Sequence, residues 1–161
     1  PILSQRAIPI APDETGATLH DKLALLGGDL LIETLPGYLS GEIQPQPQDG
    51  AQATLAPRID KAEGQIDWTQ PAAQIERTVR AFTPWPGTTT FWNELGLKIL
   101  SGRVVSGSST PGNVVKVGET VAIGTGDGLY APERVQLQGR NAVSIGDFVR
   151  GYEQFVGAQL R

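Results

Sequence analysis

The sequence contains no cysteine and no methionine, and only one histidine among its 161 residues. Without cysteine the chain can form no disulfide, no thiolate metal site and no cysteine nucleophile. The single histidine, His20, has no second histidine or cysteine with which to build a usual zinc site. No G-x-S-x-G elbow is present to expose a serine nucleophile. We therefore interpret His20 as a helix-surface residue and predict no metal site.

Long apolar segments are also missing. No run approaches the ~18 apolar residues that a transmembrane helix needs, and no basic segment followed by an apolar stretch indicates a signal peptide. We expect a cytoplasmic protein with no membrane partner. The chain begins with Pro1 and contains no methionine at all, which suggests a fragment of a longer protein.

The charges are distributed unevenly along the chain. Residues 1–83 carry six basic and eleven acidic residues, whereas residues 84–161 carry seven basic and six acidic residues. This difference indicates two units. A net charge of −4 argues against a general nucleic-acid binder. Only the second half is suited to meet a phosphate backbone, through local basic patches rather than net charge.

Two helices are predicted in the first half. The first carries leucines at helical spacing, which we expect to pack in the core: Leu19, Leu23, Leu26 and Leu30. Thr18 and Asp21 form a weak capping box, and Pro36 should end or kink the helix near Leu35. The second helix is expected to start at Thr69 and end near Thr83, with one apolar face: Ala72, Ile75, Val79 and Phe82.

The second half has the pattern of a small β domain. Short β-like runs separated by glycine, serine or aspartate predict five strands: Thr88–Trp92, Leu97–Val105, Asn113–Val117, Thr120–Ile123 and Arg134–Leu137. This spacing is typical of a small barrel. Ser144 is expected to cap a terminal helix with these apolar positions: Ile145, Phe148, Val149, Tyr152 and Val156. The proline-rich segment 84–87 is the predicted domain boundary.

Three further groups of residues have a functional and a structural interpretation. The glycine-rich segment 124–128 resembles a phosphate loop, but no helix follows it, so a hairpin turn is favoured. Asp60, Glu63 and Asp67 could do acid–base work, but a solvated loop is favoured. The aromatic residues Trp85, Phe91 and Trp92 could stack nucleic-acid bases, but we expect them to join the two domains.

The residues around the proline-rich boundary resemble those of the methionyl-tRNA formyltransferase family. The resemblance is strongest in Arg80–Gly87 (RAFTPWPG), preceded by Ile66-Asp67-Trp68 and Ile75-Glu76-Arg77. Weaker similarity covers most of the remaining chain, in segments 16–24, 53–59, 97–99, 111–112 and 125–128. Family members often have Tyr where Leu55 stands and Lys where Arg58 stands.

The resemblance implies an α+β fragment. Residues 1–83 would be the tail of a Rossmann-like formyltransferase domain with its linker helix, and residues 84–161 an OB-like β-barrel with a terminal helix. The family transfers a formyl group from 10-formyltetrahydrofolate to the α-amino group of methionine on initiator tRNA. Its Asn-x-His pair and Ser-Leu-Leu-Pro loop are absent here, so we assign no catalytic residue. The folate would be a co-substrate of the full-length enzyme and not of this chain.

The resemblance implies that this chain contributes weak, electrostatic binding of initiator tRNA and not catalysis. The expected phosphate contacts are Lys98, Arg103, Lys116, Arg134 and Arg140 on the barrel, with Arg77 and Arg80 near the junction. A truncated first half would also expose apolar surface and could drive self-association. Two alternatives stay open: part of a sugar-nucleotide formyltransferase or formyltetrahydrofolate hydrolase-type enzyme, and a stand-alone β-barrel binding module.

Overall fold

The computed structural model describes all residues, Pro1–Arg161, and the chain divides into two compact units, Pro1–Arg58 and Ile59–Arg161. The helices are α1 (Gly16–Ser40), α2 (Ala72–Ala81) and α3 (Ile145–Gly151), with 3-10 turns at Gly50–Gln52, Lys61–Gly64 and Glu153–Phe155. The strands are β1 (Thr88–Trp92), β2 (Leu95–Val105), β3 (Val114–Val117), β4 (Thr120–Gly124), β5 (Leu129–Leu137) and β6 (Val143–Ser144).

Helix α1 is longer at both ends than its sequence pattern predicts. Its N-cap is Thr15, whose hydroxyl accepts a hydrogen bond from the Thr18 amide at 3.2 Å, so Thr18 is the third helical residue and not the cap. The expected end near Leu35 is also wrong, because the helix continues through Pro36 to Ser40. The helix closes at Gly41, which adopts the left-handed conformation with φ +82°.

The leucines predicted to be the core face of α1 are only partly covered. Leu19, Leu26 and Leu30 are half-buried, whereas Leu23 is 48% exposed. The one buried residue of the helix is Thr34, whose hydroxyl lies 2.7 Å from that of Ser4. The prediction of a packed leucine core is therefore wrong for the first unit taken by itself.

The second unit is built on an antiparallel sheet with strand order β1-β2-β5-β4-β3, in which β6 pairs with β5. Helix α2 contacts β2 and β5, and α3 contacts β4, β5 and β6. The five predicted strands are present, although β5 begins five residues earlier than expected and β6 was not predicted. One buried apolar cluster joins the sheet to both helices.

The 124–128 segment is the hairpin turn that the sequence predicts, since Gly124 pairs with Leu129 across it. The turn also holds the start of α2, because Asp127 accepts the Ala72 amide at 2.9 Å and the Gly126 amide donates to Gln70 at 3.0 Å. A Cβ at Gly126 would lie 1.8 Å from the Thr69 carbonyl oxygen, so the contact requires glycine. The N-cap position of α2 is occupied by Pro71, so the prediction that Thr69 caps this helix is wrong.

The C-terminal tail, residues 157–161, lies between β1 and β3. The Gly157 amide donates to Val114 at 2.8 Å and the Leu160 amide to Gly112 at 2.8 Å, next to β3. On the other side, the Phe91 amide donates to Arg161 at 2.9 Å and the Arg161 amide donates back at 3.2 Å. The six strands themselves thus form an open sheet, and the tail connects its two ends.

The aromatic core explains the position of α3. Ser144 caps the helix as predicted, accepting a hydrogen bond from the Asp147 amide at 3.1 Å. The Trp92 ring centroid lies 5.6 Å from that of Phe148 and 5.3 Å from that of Phe155. Trp92 therefore anchors α3 and the following turn to the sheet, and it shares a buried cluster with Ala72 and Ile75 of α2. Its role in joining the two family domains stays a prediction.

The contacts divide the chain after Arg58, earlier than the predicted boundary at 83/84. The reason is that Ala72, Ile75 and Val79 of α2 belong to the same buried cluster as the sheet. Helix α2 thus folds with the second unit. The boundary at 83/84, as the division between parts of two family domains, stays a prediction.

We expect Leu160→Ala to lower the free energy of unfolding by about 3 kcal/mol, because Leu160 is 3% exposed and a cavity would form where the tail meets the core. Urea unfolding monitored by tryptophan fluorescence measures this change. Val156→Ala is the control, since Val156 directly precedes the tail and is 38% exposed, and its effect should stay within about 0.5 kcal/mol. Equal effects of the two substitutions would contradict the anchoring role of the tail.

We expect Tyr130→Phe to leave stability unchanged or raise it by about 1 kcal/mol. The Tyr130 side chain is fully buried and its hydroxyl has no hydrogen-bond partner; burial raises the pKa of this phenol. Leaving a buried hydroxyl unpaired costs about 1–3 kcal/mol. Urea midpoints of the two proteins test the prediction. A loss above about 1 kcal/mol on removing the hydroxyl would show that it is hydrogen-bonded in solution.

Candidate nucleic-acid interface

The outer face of β1, β2 and β5 carries the polar residues that alternate with the core. In β1, Thr90 and Trp92 are buried, whereas Phe91 between them is 42% exposed. The same alternation exposes Lys98 in β2. The strand register aligns Thr89 with Lys98, and Lys98 with Gln136 of β5. These side chains therefore share one face of the sheet, opposite the core.

This face contains a groove of about 450 Å³, called the sheet groove below. It is lined by Lys61, Thr89, Phe91, Gly96, Lys98, Gln136, Leu137, Gln138 and Gly139. Two lysines and no acidic residue contribute to the lining. Neither lysine has a carboxylate within 4.0 Å. The groove is therefore a local site of positive charge that offers both ammonium groups to an anion.

Three of the seven predicted tRNA-contacting residues lie on or beside this face. Lys98 lines the groove itself. Arg134 is exposed on β5, two residues from Gln136 and thus on the same side of the strand. Arg140 directly follows Gly139 of the groove, and its carbonyl oxygen accepts a hydrogen bond from the Gln136 side-chain Nε2 at 2.9 Å.

The structure does not bring the other four predicted residues into this group. Arg103 lies beyond an irregularity in β2, and its Nε is 3.7 Å from the Glu133 carboxylate. Lys116 is on β3, at the far end of the strand order. Arg77 and Arg80 are on α2, which packs on the core side of the sheet. The Arg80 guanidinium is also bound to Glu76, with Nε 2.5 Å from Oε1.

The acidic residues of the 60–67 segment have structural partners. Asp60 and Glu63 form the capping box of the 3-10 turn at Lys61–Gly64. Asp67 accepts a hydrogen bond from the Thr69 hydroxyl at 2.6 Å, and this bond, with those from Gln70 and the Thr69 amide, holds the pKa of its carboxyl below the usual range. The favoured interpretation as loop carboxylates agrees with these contacts, which serve the local backbone.

His20 is exposed on α1, as predicted. No group of three or more His, Asp or Glu side chains in the chain is arranged to hold a metal ion. None of the helices combines the length and apolar character required to cross a bilayer. The sheet groove is therefore the feature of the chain that best fits a binding function.

Several groove residues were not predicted as site residues. Lys61 belongs to a turn distant in sequence, and Gln136 and Gln138 are uncharged. Phe91 was expected to join domains. The sequence could have predicted an exposed aromatic residue in β1. Phe91 and Trp92 are adjacent, and because side chains alternate along a strand only one of them can face the core.

The chain matches the family described as "Formyl transferase, C-terminal domain" over residues 58–153. It is 42% identical over 163 aligned residues to a methionyl-tRNA formyltransferase of Roseiflexus castenholzii, covering 99% of this chain and 52% of that protein. It is 41% identical to the methionyl-tRNA formyltransferase of Myxococcus xanthus, covering 99% of this chain and 51% of that protein. The chain thus spans about half the length of the curated relatives it matches.

Among solved structures, the chain resembles HypX from Aquifex aeolicus. One HypX variant gives a TM-score of 0.67 at 18% identity, covering 96% of this chain and 29% of that one. HypX in complex with tetrahydrofolic acid gives 0.57 at 20% identity, covering 80% of this chain and 23% of that one. At this level of identity, the similarity supports the fold alone.

Proposed function

This chain belongs to the formyl transferase C-terminal domain family, and on that premise we propose that it is the tRNA-binding part of a methionyl-tRNA formyltransferase. The observation that carries the proposal is the sheet groove, with two lysines free of acidic partners on one exposed face. The relatives reported above are named methionyl-tRNA formyltransferase over almost the whole of this chain. Those names favour a methionyl-tRNA formyltransferase over the three alternatives, which are a sugar-nucleotide formyltransferase, a formyltetrahydrofolate hydrolase-type enzyme and a stand-alone binding module.

The proposed activity of the whole enzyme is transfer of a formyl group from 10-formyltetrahydrofolate to the amino group of methionyl-tRNA. Such a transfer needs donors that stabilise a tetrahedral oxyanion and a group that accepts the amine proton. The described residues contain no such assembly, since the clustered carboxylates Asp60, Glu63 and Asp67 serve the local backbone. We propose that catalysis belongs to the half of the relatives that this chain does not match.

The residues of this chain do not fit the folate itself. A pterin ring is held by buried polar groups that face a cavity. Here the one buried side-chain polar atom without a partner is the Tyr130 hydroxyl. A Cβ placed at Gly102 would lie only 2.4 Å from that oxygen, so the hydroxyl packs directly against the backbone of β2. We therefore derive no folate-binding step from this chain.

The proposed fold of the second unit is an OB-like barrel in which the C-terminal tail is the closing element. The tail hydrogen-bonds to Phe91 of β1 and to Val114 of β3. In OB folds the exposed face of the sheet binds oligonucleotides. We propose that the sheet groove, on β1, β2 and β5, is the corresponding face of this domain, which would give it an RNA-binding function. We also propose that the full-length enzyme acts in the cytoplasm, where translation starts.

The proposed binding mode is contact with phosphates rather than bases. Phosphate contacts are independent of sequence, and they release counterions from the RNA. We propose Lys98, Arg134 and Arg140 as the principal contacts, with Arg103 and Lys116 at the margin. Arg77 and Arg80 stay in the proposal as junction contacts, although Arg80 would first have to release Glu76.

We expect the chain to bind tRNA with a dissociation constant no better than roughly 10⁻⁵ M at physiological salt, and more tightly as salt is lowered. Lys98→Glu should weaken binding of initiator and elongator tRNA about equally, because a phosphate contact carries no sequence information. Fluorescence anisotropy with both labelled tRNAs, over a series of salt concentrations, measures the affinity and its salt dependence.

Arg150→Glu is the matched control for this experiment. It makes the same charge change on α3, where Arg150 is paired with Asp147, and it should reduce affinity much less than Lys98→Glu. Equal losses of affinity for the two variants would show that tRNA binding depends on the net charge of the chain and not on the groove. If neither tRNA binds the wild-type chain at low salt, the proposed function is wrong.

We further propose that the first unit self-associates through exposed apolar residues of α1. Leu25, Ile32 and Leu39 are each 73–74% exposed and recur every seven residues, on the side of the helix opposite the half-buried leucines. An apolar stripe of this kind is typical of a helix–helix contact.

We expect Ile32→Lys to convert an associated species into a monomer, because a charge in the stripe cannot be buried without a partner. Light scattering over a range of protein concentrations measures the mass. Ser40→Lys adds the same charge at the end of the helix, outside the stripe, and should leave the mass unchanged. A wild-type chain that is monomeric at all concentrations would contradict self-association.

A further inference from the structure

Phe91 is a partly exposed aromatic residue that lines the sheet groove. Its side chain is 42% exposed, and its ring contacts no other aromatic ring, whereas Trp92 contacts three. Its backbone is nevertheless fixed, because both its amide and its carbonyl are bonded to Arg161. Phe91 therefore presents a positioned ring to solvent, which loses little conformational entropy when a flat group stacks on it.

The two glutamines of the groove each retain an unpaired polar atom. Gln138 accepts the Gly96 amide through Oε1 at 3.2 Å, which leaves its Nε2 as a donor. Gln136 donates from Nε2 to Arg140 at 2.9 Å, which leaves its Oε1 as an acceptor. One donor and one acceptor, each on a side chain held at its other end, suit the polar edge of a nucleobase.

The two lysines complete the recognition of a nucleotide. Lys61 and Lys98 line the same groove without acidic partners, so each is available to a phosphate of a bound nucleotide. A volume of about 450 Å³ lies within the range of small-ligand sites. Aromatic stacking beside a positively charged track is how proteins hold single-stranded nucleic acid.

We propose that the sheet groove holds one unpaired RNA nucleotide, with its base stacked on Phe91, its edge facing Gln136 and Gln138, and its phosphates near Lys61 and Lys98. The inference rests on the proposed function and adds that the chain distinguishes unpaired from paired RNA. A base inside a duplex cannot occupy this site, because both its faces are already stacked on neighbouring bases. The groove would thus select a loop or a free end of a structured RNA.

The test compares a hairpin RNA that has an unpaired loop with a blunt duplex of the same length, using the full chain at low salt. Phe91→Ala should weaken binding of the hairpin by roughly tenfold or more, the loss typical of one stacked base. It should leave binding of the duplex unchanged. Phe91→Trp should retain the hairpin affinity, because the indole supplies an equivalent stacking surface.

The salt dependence separates stacking from charge. Phe91→Ala should lower the hairpin affinity at every salt concentration without changing the slope of log K against log salt, whereas Lys98→Ala should reduce that slope by about one phosphate contact. Trp85→Ala is the aromatic control, since Trp85 is 60% exposed outside the groove, and it should have no effect on the hairpin. Urea unfolding of each variant confirms that it is folded.

The outcomes are distinguishable from a failure of the proposed function. If Phe91→Ala has no effect on the hairpin while Lys98→Glu still weakens tRNA binding, the chain binds RNA through phosphates and the nucleotide site is refuted. If Phe91→Ala weakens hairpin and duplex equally, the contact is not stacking on an unpaired base, which also overturns the inference. If the wild-type chain binds no RNA at low salt, the proposed function itself fails.

Discussion

The architecture of the second unit depends on backbone hydrogen bonds between strands and a tail that is distant in sequence. An open antiparallel sheet leaves unpaired amides and carbonyls along its two edge strands, which is costly where they are buried. Residues 157–161 bond to both edges, through Val114 on one side and Phe91 on the other. Leu160, carried by the same segment, fills the core at that point. The tail therefore satisfies the edges and the core together.

The geometry of the candidate interface depends on the way the C-terminal tail connects the two edges of the sheet. The Thr90 hydroxyl donates to the Arg161 carbonyl at 2.8 Å and accepts from the Trp68 indole at 2.9 Å, so the inner face of β1 is fixed by polar bonds as well as by packing. Because side chains alternate along a strand, fixing Thr90 and Trp92 inward fixes Phe91 outward. The exposed aromatic ring is thus a consequence of how the core is closed, and the registers of β2 and β5 then place Lys98 and Gln136 beside it.

Local patterns in the sequence predicted much of this fold, and non-local contacts explain what they missed. The alternation of apolar and polar residues and the turn residues predicted the strands, and Ser144 correctly predicted the start of α3. Each of these patterns depends only on contacts between residues a few positions apart. The cap of α2 could not be read in this way, since the group that receives the Ala72 amide is Asp127, on a hairpin 55 residues later. The same holds for the predicted basic residues, because only the folded structure shows that Lys98 lies in the sheet groove without a carboxylate partner and that the Arg103 Nε lies 3.7 Å from the Glu133 carboxylate.

The net negative charge of the chain is compatible with the proposed binding of RNA in the sheet groove. Screening in physiological salt has a length of about 8 Å, so a phosphate in the sheet groove responds to charges within that range and little to those beyond it. Within the groove the charged residues are Lys61 and Lys98. The excess of acidic residues lies in residues 1–83, many of them on the exposed surface of the first unit. Under the proposed function, net charge would limit the long-range attraction between the chain and RNA, whereas the lysines of the groove would make the contact itself. Under the proposed function, the affinity for RNA would come from a few positioned groups and not from a large basic surface.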